Sequence, residues 1–183
     1  MLVLLVALVA GLVVGYALGG RLRNLESLDL RHAWLALAAL ALQLVIFSPL
    51  TERLGDAVVP LHLVSYGMLL WFVVANRHRG GIVVAGVGTA LNVAAIAANG
   101  GYMPASRSAL ERAGALYAGE TANNSALMGE GTRLWFLGDV FAVPEWFVLA
   151  NVFSVGDVLI AAGVAVLVAA GMRGHARQVP ELA

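Results

Sequence analysis

The stretch SVGDVLIAAGVAVLVAAG, residues 154–171, begins with a polar turn and continues as a long apolar run. Ser154 followed three residues later by Asp157 is typical of a helix N-terminus, where a hydroxyl and a carboxylate meet free backbone N–H groups. The run from Val158 to Gly171 contains no charged residue. Because about 20 mainly apolar residues are needed to cross the ~30 Å hydrocarbon layer of a membrane, the stretch predicts a membrane-spanning helix.

The composition of the whole chain extends this interpretation. Hydrophobic residues make up 61% of the 183 residues and charged residues 12%, about half the ~25% usual in soluble domains. A formal net charge of zero gives no electrostatic reason to expect a nucleic-acid partner. The chain has no cysteine and only four scattered histidines, so we predict neither a metal site nor a cofactor.

Four further apolar runs fit the same template. We predict a single all-α integral membrane domain over residues 1–183, with about five transmembrane helices and a partly ordered outer loop or re-entrant segment over residues 99–154. The predicted spans are Leu2–Leu18, Ala33–Phe47, Ala57–Ala75, Ile82–Ala98 and Val158–Gly171.

The distribution of arginines predicts the orientation. In a five-span arrangement, seven arginines fall on one side and four on the other, and the richer side is expected in the cytoplasm. This places the N-terminus outside and the C-terminus in the cytoplasm of a cell membrane. We interpret the first run as a retained helix rather than a cleaved signal peptide, because its arginines follow it. The seven are Arg21, Arg23, Arg31, Arg77, Arg79, Arg173 and Arg177, and the four are Arg53, Arg107, Arg112 and Arg133.

The outer loop is the one region with soluble character. Arg107–Ala118 predicts a short helix, with Ser106 or Ser108 as its cap. Arg133–Asn151 is apolar, but Asp139 and Pro144 in its middle argue against a sixth span. We expect an interfacial or re-entrant segment whose tryptophans, Trp135 and Trp146, lie at headgroup level.

Stripes of small residues predict where the helices pack. Gly11, Gly15 and Gly19 recur every fourth residue, a pattern that favours close packing within the chain or, alternatively, against a second copy. Two more stripes predict that the fourth and fifth spans pack together, which would bring Asp157 close to Asn92 and Asn99. These stripes are Gly86, Ala90, Ala94 and Ala98, and Asp157, Ala161, Ala165 and Ala169.

Asp139 and Asp157 are the candidate catalytic residues. A carboxylate in so apolar a chain is costly, and the two are 18 residues apart (157 − 139) on either side of Pro144. If the segment folds back there, one acid could activate water while the other donates a proton to a carbonyl group. Each also has a structural alternative: Asp157 as part of a helix cap, and Asp139 as an exposed loop acid.

The segment Arg133–Val168 resembles the C-terminal part of lipoprotein signal peptidase, a membrane aspartyl endopeptidase. FLGD (136–139) and FSVGD (153–157) stand where that family has its two aspartate motifs. The resemblance implies that Asp139 and Asp157 are catalytic. It also makes Ser154, which replaces a family asparagine, and Arg133 candidate orienting or binding residues.

Over nearly its full length the chain resembles a family of bacterial multi-pass membrane proteins known as domain of unknown function 5317. The resemblance is carried by Leu91–Pro104, LNVAAIAANGGYMP, together with FLGDVF (136–141) and FSVGD. It implies a shared membrane architecture and no particular activity.

Two hypotheses follow. The first is an outward-facing aspartate-pair hydrolase acting on a lipid or membrane-bound peptide, as the resemblance to signal peptidase II implies, with Asn92 and Asn99 as further orienting or binding groups. The second is a non-catalytic membrane subunit, small transporter or lipid-binding protein in which the aspartates are structural caps. Both have the lipid bilayer as a partner.

Overall fold

Long apolar helices carry most of the fold. The computed structural model describes residues 2–46, 48, 51–115 and 125–174. Within them lie the helices α1 (Leu2–Ala17), α2 (Ala33–Ile46), α3 (Thr51–Leu54), α4 (Val58–Ala75), α5 (Gly80–Ala98), α6 (Arg107–Arg112) and α7 (Val155–Arg173), and the strands β1 (Met103–Ala105), β2 (Ser125–Leu127), β3 (Phe141–Val143) and β4 (Asn151–Phe153).

Each of the five predicted spans falls on one of these helices. Among the described residues, three helices are long and apolar enough to cross a membrane, namely α4 with 18 residues and α5 and α7 with 19 each. The helices α1 and α2 are equally apolar but shorter, with 16 and 14 residues. The structure is therefore mostly helical, with three candidate membrane-spanning helices.

The five long helices pack in the order α1, α7, α5, α4, α2. The last helix in the chain thus lies between the first helix and α5. Connections at the two ends alternate, so α5 runs towards the polar segment 99–154 and α7 runs away from it. This arrangement makes α5 and α7 the centre of the fold.

Glycines bring α5 and α7 close together. A Cβ atom built on Gly81 would lie 2.6 Å from the carbonyl oxygen of Gly163, and one built on Gly88 would meet the carbonyl oxygen of Gly156. Gly81 and Gly88 are seven residues apart and so lie on one face of α5, and the same spacing puts Gly156 and Gly163 on one face of α7. Small residues let helices in lipid approach closely enough for extensive van der Waals contact.

The predicted pairing of these two helices is confirmed, but the predicted stripes are wrong. Gly86 faces α4, where its Cβ would meet Val73, and Ala165 faces Gly11 of α1. The reason is that α5 and α7 each pack on two neighbours, so each helix carries two stripes of small residues. The sequence does not say which stripe meets which helix.

The glycines of α1 pack within the chain. A Cβ on Gly11 would lie 2.8 Å from the Ala165 carbonyl oxygen, and Gly15 lies against Met172. Gly19 has a φ of +77° and no atom within 4 Å of its built Cβ position. An oligomer through this stripe stays a prediction.

Asn76 joins helices at the end opposite the outer loop. It is fully buried, accepts from the backbone N–H of Arg31 at 2.8 Å and donates to the Arg31 carbonyl oxygen at 2.8 Å. The Arg79 guanidinium donates to the carbonyl oxygen of Asp29 at 3.0 Å. These contacts hold several of the arginines expected in the cytoplasm at one end of the molecule.

Short strands organise the outer loop, and sequence reasoning missed them. β1 pairs with β2 in parallel, and β3 pairs with β4 antiparallel. Three-residue strands show no periodicity that a sequence pattern could reveal. The helix predicted at Arg107–Ala118 begins as expected, with Ser106 accepting from Ala109 N at 3.2 Å, but it ends at Arg112; residues 116–118 lie outside the described residues.

The close contact of α5 and α7 leads to a testable prediction. Gly81→Ala should destabilise the protein by about 1–3 kcal/mol, because the added methyl group meets the backbone of α7 rather than a mobile side chain. Gly67→Ala is the control, since its Cβ has open space in the middle of α4 and alanine favours helix. Thermal unfolding in detergent micelles measures both; equal stability of the two variants would contradict the packing.

Candidate functional site

Asp157 lies at the start of α7 in a closed hydrogen-bond network. Ser154 is the N-cap: its hydroxyl accepts from Asp157 N at 3.0 Å, and its own N–H donates to Asp157 Oδ2 at 3.0 Å. Asn92 of α5 donates through Nδ2 to Asp157 Oδ1 at 2.9 Å and accepts from the Ser154 hydroxyl at 2.9 Å. Both carboxylate oxygens of Asp157 therefore accept a hydrogen bond.

This network requires the glycine contact between α5 and α7. A Cβ atom on Gly156 would collide with the side-chain oxygen of Asn92. Asn92 and Ser154 are both buried, so their polar groups must find partners within the protein. The sequence prediction that Asn92 lies beside Asp157 is confirmed by the 2.9 Å hydrogen bond.

Asp139 is held by its backbone at the edge of the small sheet. Its N–H donates to the Pro104 carbonyl oxygen at 2.8 Å, and its carbonyl oxygen accepts from Ser106 N at 3.0 Å. Next to it, Gly138 lies against the Pro104 carbonyl, where a side chain would not fit. Asp139 thus extends the sheet beside β1, which follows directly from the end of α5.

The Asp139 side chain is buried, contrary to the alternative of an exposed loop acid. Only 8% of the residue is accessible, and no hydrogen bond to its carboxylate is found within the described ranges. Burial, and secondly the charge of Asp157, raise the pKa of Asp139 from its ordinary 3.8 to about 7. The two acids therefore interact electrostatically but differ in surroundings.

A β-hairpin connects the two acids. β3 begins two residues after Asp139 and β4 ends four residues before Asp157. At the base of the hairpin Phe141 is paired with Phe153, and their rings stack with centroids 5.4 Å apart. The chain thus folds back between the two acids, which is the condition that the aspartate-pair hypothesis required.

Asn99 and Arg133 form a second pair, separate from the carboxylates. Asn99 is the C-cap of α5. Its Nδ2 donates to the Arg133 carbonyl oxygen at 2.8 Å, and its Oδ1 accepts from Arg133 N at 2.9 Å. The next residue, Leu134, has a φ of 49°, a conformation rarely adopted by residues other than glycine. Asn99 therefore anchors the segment that leads to Asp139, and Arg133 takes part through its backbone.

Tyr66 of α4 is a neighbour of the site that the candidate residues did not include. Its ring packs on the buried cluster of Ala95, Ile96 and Met103. In the sequence, the spacing of Tyr66 and His62 already indicated that they share one helical face. In the structure their ring centroids are 4.8 Å apart.

The hairpin exposes large apolar side chains. Trp146 is 82% exposed and Val148 96% exposed, with Phe147 and Leu149 beside them. Trp135 and Phe136, next to Asp139 in the chain, are also more than half exposed. Exposed apolar patches of this kind mark surfaces that contact a membrane or a partner. In the part of the chain that is described, no three His, Asp or Glu side chains are grouped to hold a metal ion.

Comparison with known proteins identifies the family. The chain belongs to the Family of unknown function (DUF5317), whose model matches residues 27–169. No curated protein and no solved structure matches the chain. The resemblance of Arg133–Val168 to lipoprotein signal peptidase stays a prediction.

The raised pKa of Asp139 predicts how stability depends on pH. Between about pH 4 and 7 the folded protein keeps this proton while the unfolded chain has lost it, so stability falls as pH rises through this window. Unfolding in micelles should therefore occur at lower temperature at about pH 8 than at about pH 5. Asp139→Asn should remove this part of the dependence and be at least as stable as the wild type at about pH 8.

Glu111→Gln is the matched control, because Glu111 is an exposed acid on α6 near the same end of the molecule. It should keep the wild-type pH dependence. A pH dependence unchanged in Asp139→Asn would show that the Asp139 carboxyl group is not desolvated.

Proposed function

We propose that this member of the DUF5317 family is a multi-pass protein of the bacterial cell membrane with an outward-facing aspartate-pair hydrolase site. One observation carries the proposal: the Asp139 carboxyl group is buried, has no hydrogen bond from the described residues, and has its pKa raised by burial and by the charge of Asp157, whose two oxygens both accept hydrogen bonds. A carboxylic acid kept protonated near neutral pH beside a second acid is typical of acid/base pairs.

The surroundings suggest the role of each acid. Asp157 takes a proton from water while the water oxygen bonds to the carbonyl carbon of the substrate. Asp139, whose raised pKa keeps it protonated near neutral pH, gives its proton to the carbonyl oxygen. The tetrahedral intermediate then returns a proton to Asp139 as the C–N bond breaks, and Asp157 passes its proton to the leaving amine.

The exposed aromatic residues support a substrate that is reached from the membrane. Trp135 and Trp146 flank the segment that carries Asp139, and indole rings favour the headgroup region of a bilayer. A membrane-bound peptide fits this position, in agreement with the resemblance to lipoprotein signal peptidase. Asn99 and Arg133 would act as positioning groups, since they hold the segment leading to Asp139.

We place the N-terminus outside and the C-terminus in the cytoplasm, with α1 and α2 as the two additional spans. Both helices are short, but a bilayer can thin locally around a short apolar helix at modest cost. The arginines gathered around Asn76 support a cytoplasmic location for that end. The aspartates then belong to the extracytoplasmic end.

The Asp157 network favours a second candidate function. An N-cap with a reciprocal N3 acid is a common structural device, so the protein could be a non-catalytic subunit, small transporter or lipid-binding protein. In that case Asp157 ties α7 to α5, and the unpaired Asp139 has no structural benefit. Activity measurements separate the two candidates.

Both aspartates should be required for hydrolysis. The wild-type protein in liposomes is expected to cleave a diacylglyceryl-modified signal peptide, detected as new peptide ends by mass spectrometry. Asp139→Asn and Asp157→Asn should each lower the rate by about 100- to 10,000-fold, the usual contribution of an acid or base. Asp139→Asn is the sharper variant, because it removes no hydrogen bond seen among the described residues.

Glu111→Gln again serves as the control and should cleave at the wild-type rate. Wild-type rates in either aspartate variant would eliminate the acid/base pair. Absence of cleavage by the wild type would favour the non-catalytic candidate.

The orientation can be tested with single cysteines, because the chain has none of its own. Ser108→Cys at the outer end should react with a membrane-impermeant maleimide in intact spheroplasts. Ser27→Cys at the opposite end should react only after the membrane is opened; both serines are exposed. The reverse pattern would contradict the proposed orientation.

A further inference from the structure

A groove runs between α1 and α7. It encloses about 330 Å³, at the lower end of the ~300–1,000 Å³ typical of ligand pockets. Its walls are apolar, with Ala10, Val14 and Leu18 on one side and Val166 and Ala170 on the other. Nothing in the proposed reaction uses this surface.

One end of the groove is positively charged. Arg173, in the last turn of α7, lines the groove at this end and is exposed. Arg21 follows α1 and is held beside it, because its N–H donates to the Met172 carbonyl oxygen at 2.8 Å. Apolar walls with cations at the mouth match a molecule that has an aliphatic chain and an anionic head.

The direction of the groove agrees with that ligand. The helices α1 and α7 run parallel here, since Gly11 meets Ala165 and Gly15 meets Met172. From Ala165 to Arg173 the groove extends for about 12 Å at 1.5 Å per residue. An acyl chain lying in it would point from the arginines towards the middle of the bilayer.

We propose that this groove binds an anionic glycerophospholipid, with one acyl chain between α1 and α7 and the phosphate at Arg173. The inference rests on the membrane location proposed above and not on the aspartate pair. The lipid would fill the space beside the contact of α1 with α7 and so stabilise the position of α1.

A second copy of the chain is a poorer occupant. Gly11 and Gly15, the residues that could allow another helix to approach, are already covered by α7. Two copies meeting through this groove in the membrane would also bring their Arg21 and Arg173 residues together, and like charges repel. A lipid phosphate neutralises the same arginines.

The test uses the full chain in detergent micelles and native mass spectrometry. Dioleoylphosphatidylglycerol should be retained in a saturable one-to-one complex and preferred over dioleoylphosphatidylcholine. Arg173→Gln should weaken retention of the anionic lipid about fivefold, the usual effect of one cation near an anionic lipid. Ala170→Phe, which fills the groove from its exposed rim, should weaken it about tenfold or more.

Each variant has a matched control. Arg77→Gln removes another exposed arginine at the same end, whose guanidinium bonds only the Val74 carbonyl oxygen among the described contacts. Ala162→Phe adds the same ring to an exposed position of α7 outside the groove. Both controls should retain the lipid like the wild type.

The proposal is overturned if Ala170→Phe and Arg173→Gln bind as the wild type does, or if both lipids bind equally. It is also overturned if inorganic phosphate displaces the lipid, which would indicate an anion site without an acyl chain. Asp139→Asn should retain the lipid fully. A negative result for the groove therefore leaves the hydrolase proposal untouched, and a failed cleavage assay leaves the groove untouched.

Discussion

The close contact of α5 with α7 is the constraint on which the rest of the structure depends. Gly81 and Gly88 on one helix face Gly163 and Gly156 on the other, so the backbones meet without intervening side chains. In a membrane the apolar surfaces of helices gain little by leaving lipid, and close packing with interhelical hydrogen bonds holds them together. Here both are present, because the glycine contact brings Asn92 within reach of Ser154 and Asp157.

That contact also explains why the two acids differ. Asp157 lies at the helix contact, where both of its oxygens accept hydrogen bonds. Asp139 is held through its backbone at the edge of the small sheet, and no hydrogen bond to its carboxyl group is found among the described residues. A stacked pair of phenylalanines closes the hairpin between them. The fold thus gives each oxygen of one carboxylate a hydrogen bond and buries the other carboxyl group at a cost in stability.

The two ends of the molecule differ in chemistry. The end that carries residues 99–154 combines the buried Asp139 and the partly buried Asp157 with exposed tryptophan and phenylalanine side chains, while the opposite end has Arg31 and Arg79 beside the buried Asn76. Between the two ends the helices expose large apolar side chains. The helices α1 and α7 run in the same direction, so both end at the arginine end. The groove between them therefore starts at Arg173 and continues along apolar walls.

The sequence by itself determined the class of protein, the positions of the five long helices and the cap at Ser154. Each depends on local composition or spacing, whereas the spacing of Asp139 and Asp157 around Pro144 only allowed a fold-back. Only the tertiary structure decided which stripe of small residues meets which helix, since α5 and α7 carry more than one. It also decided that Asn99 holds Arg133 rather than an aspartate and that Asp139 is buried. Whether a side chain is buried, and which groups it hydrogen-bonds, depends on segments that are distant in the chain. Local sequence patterns do not contain that information.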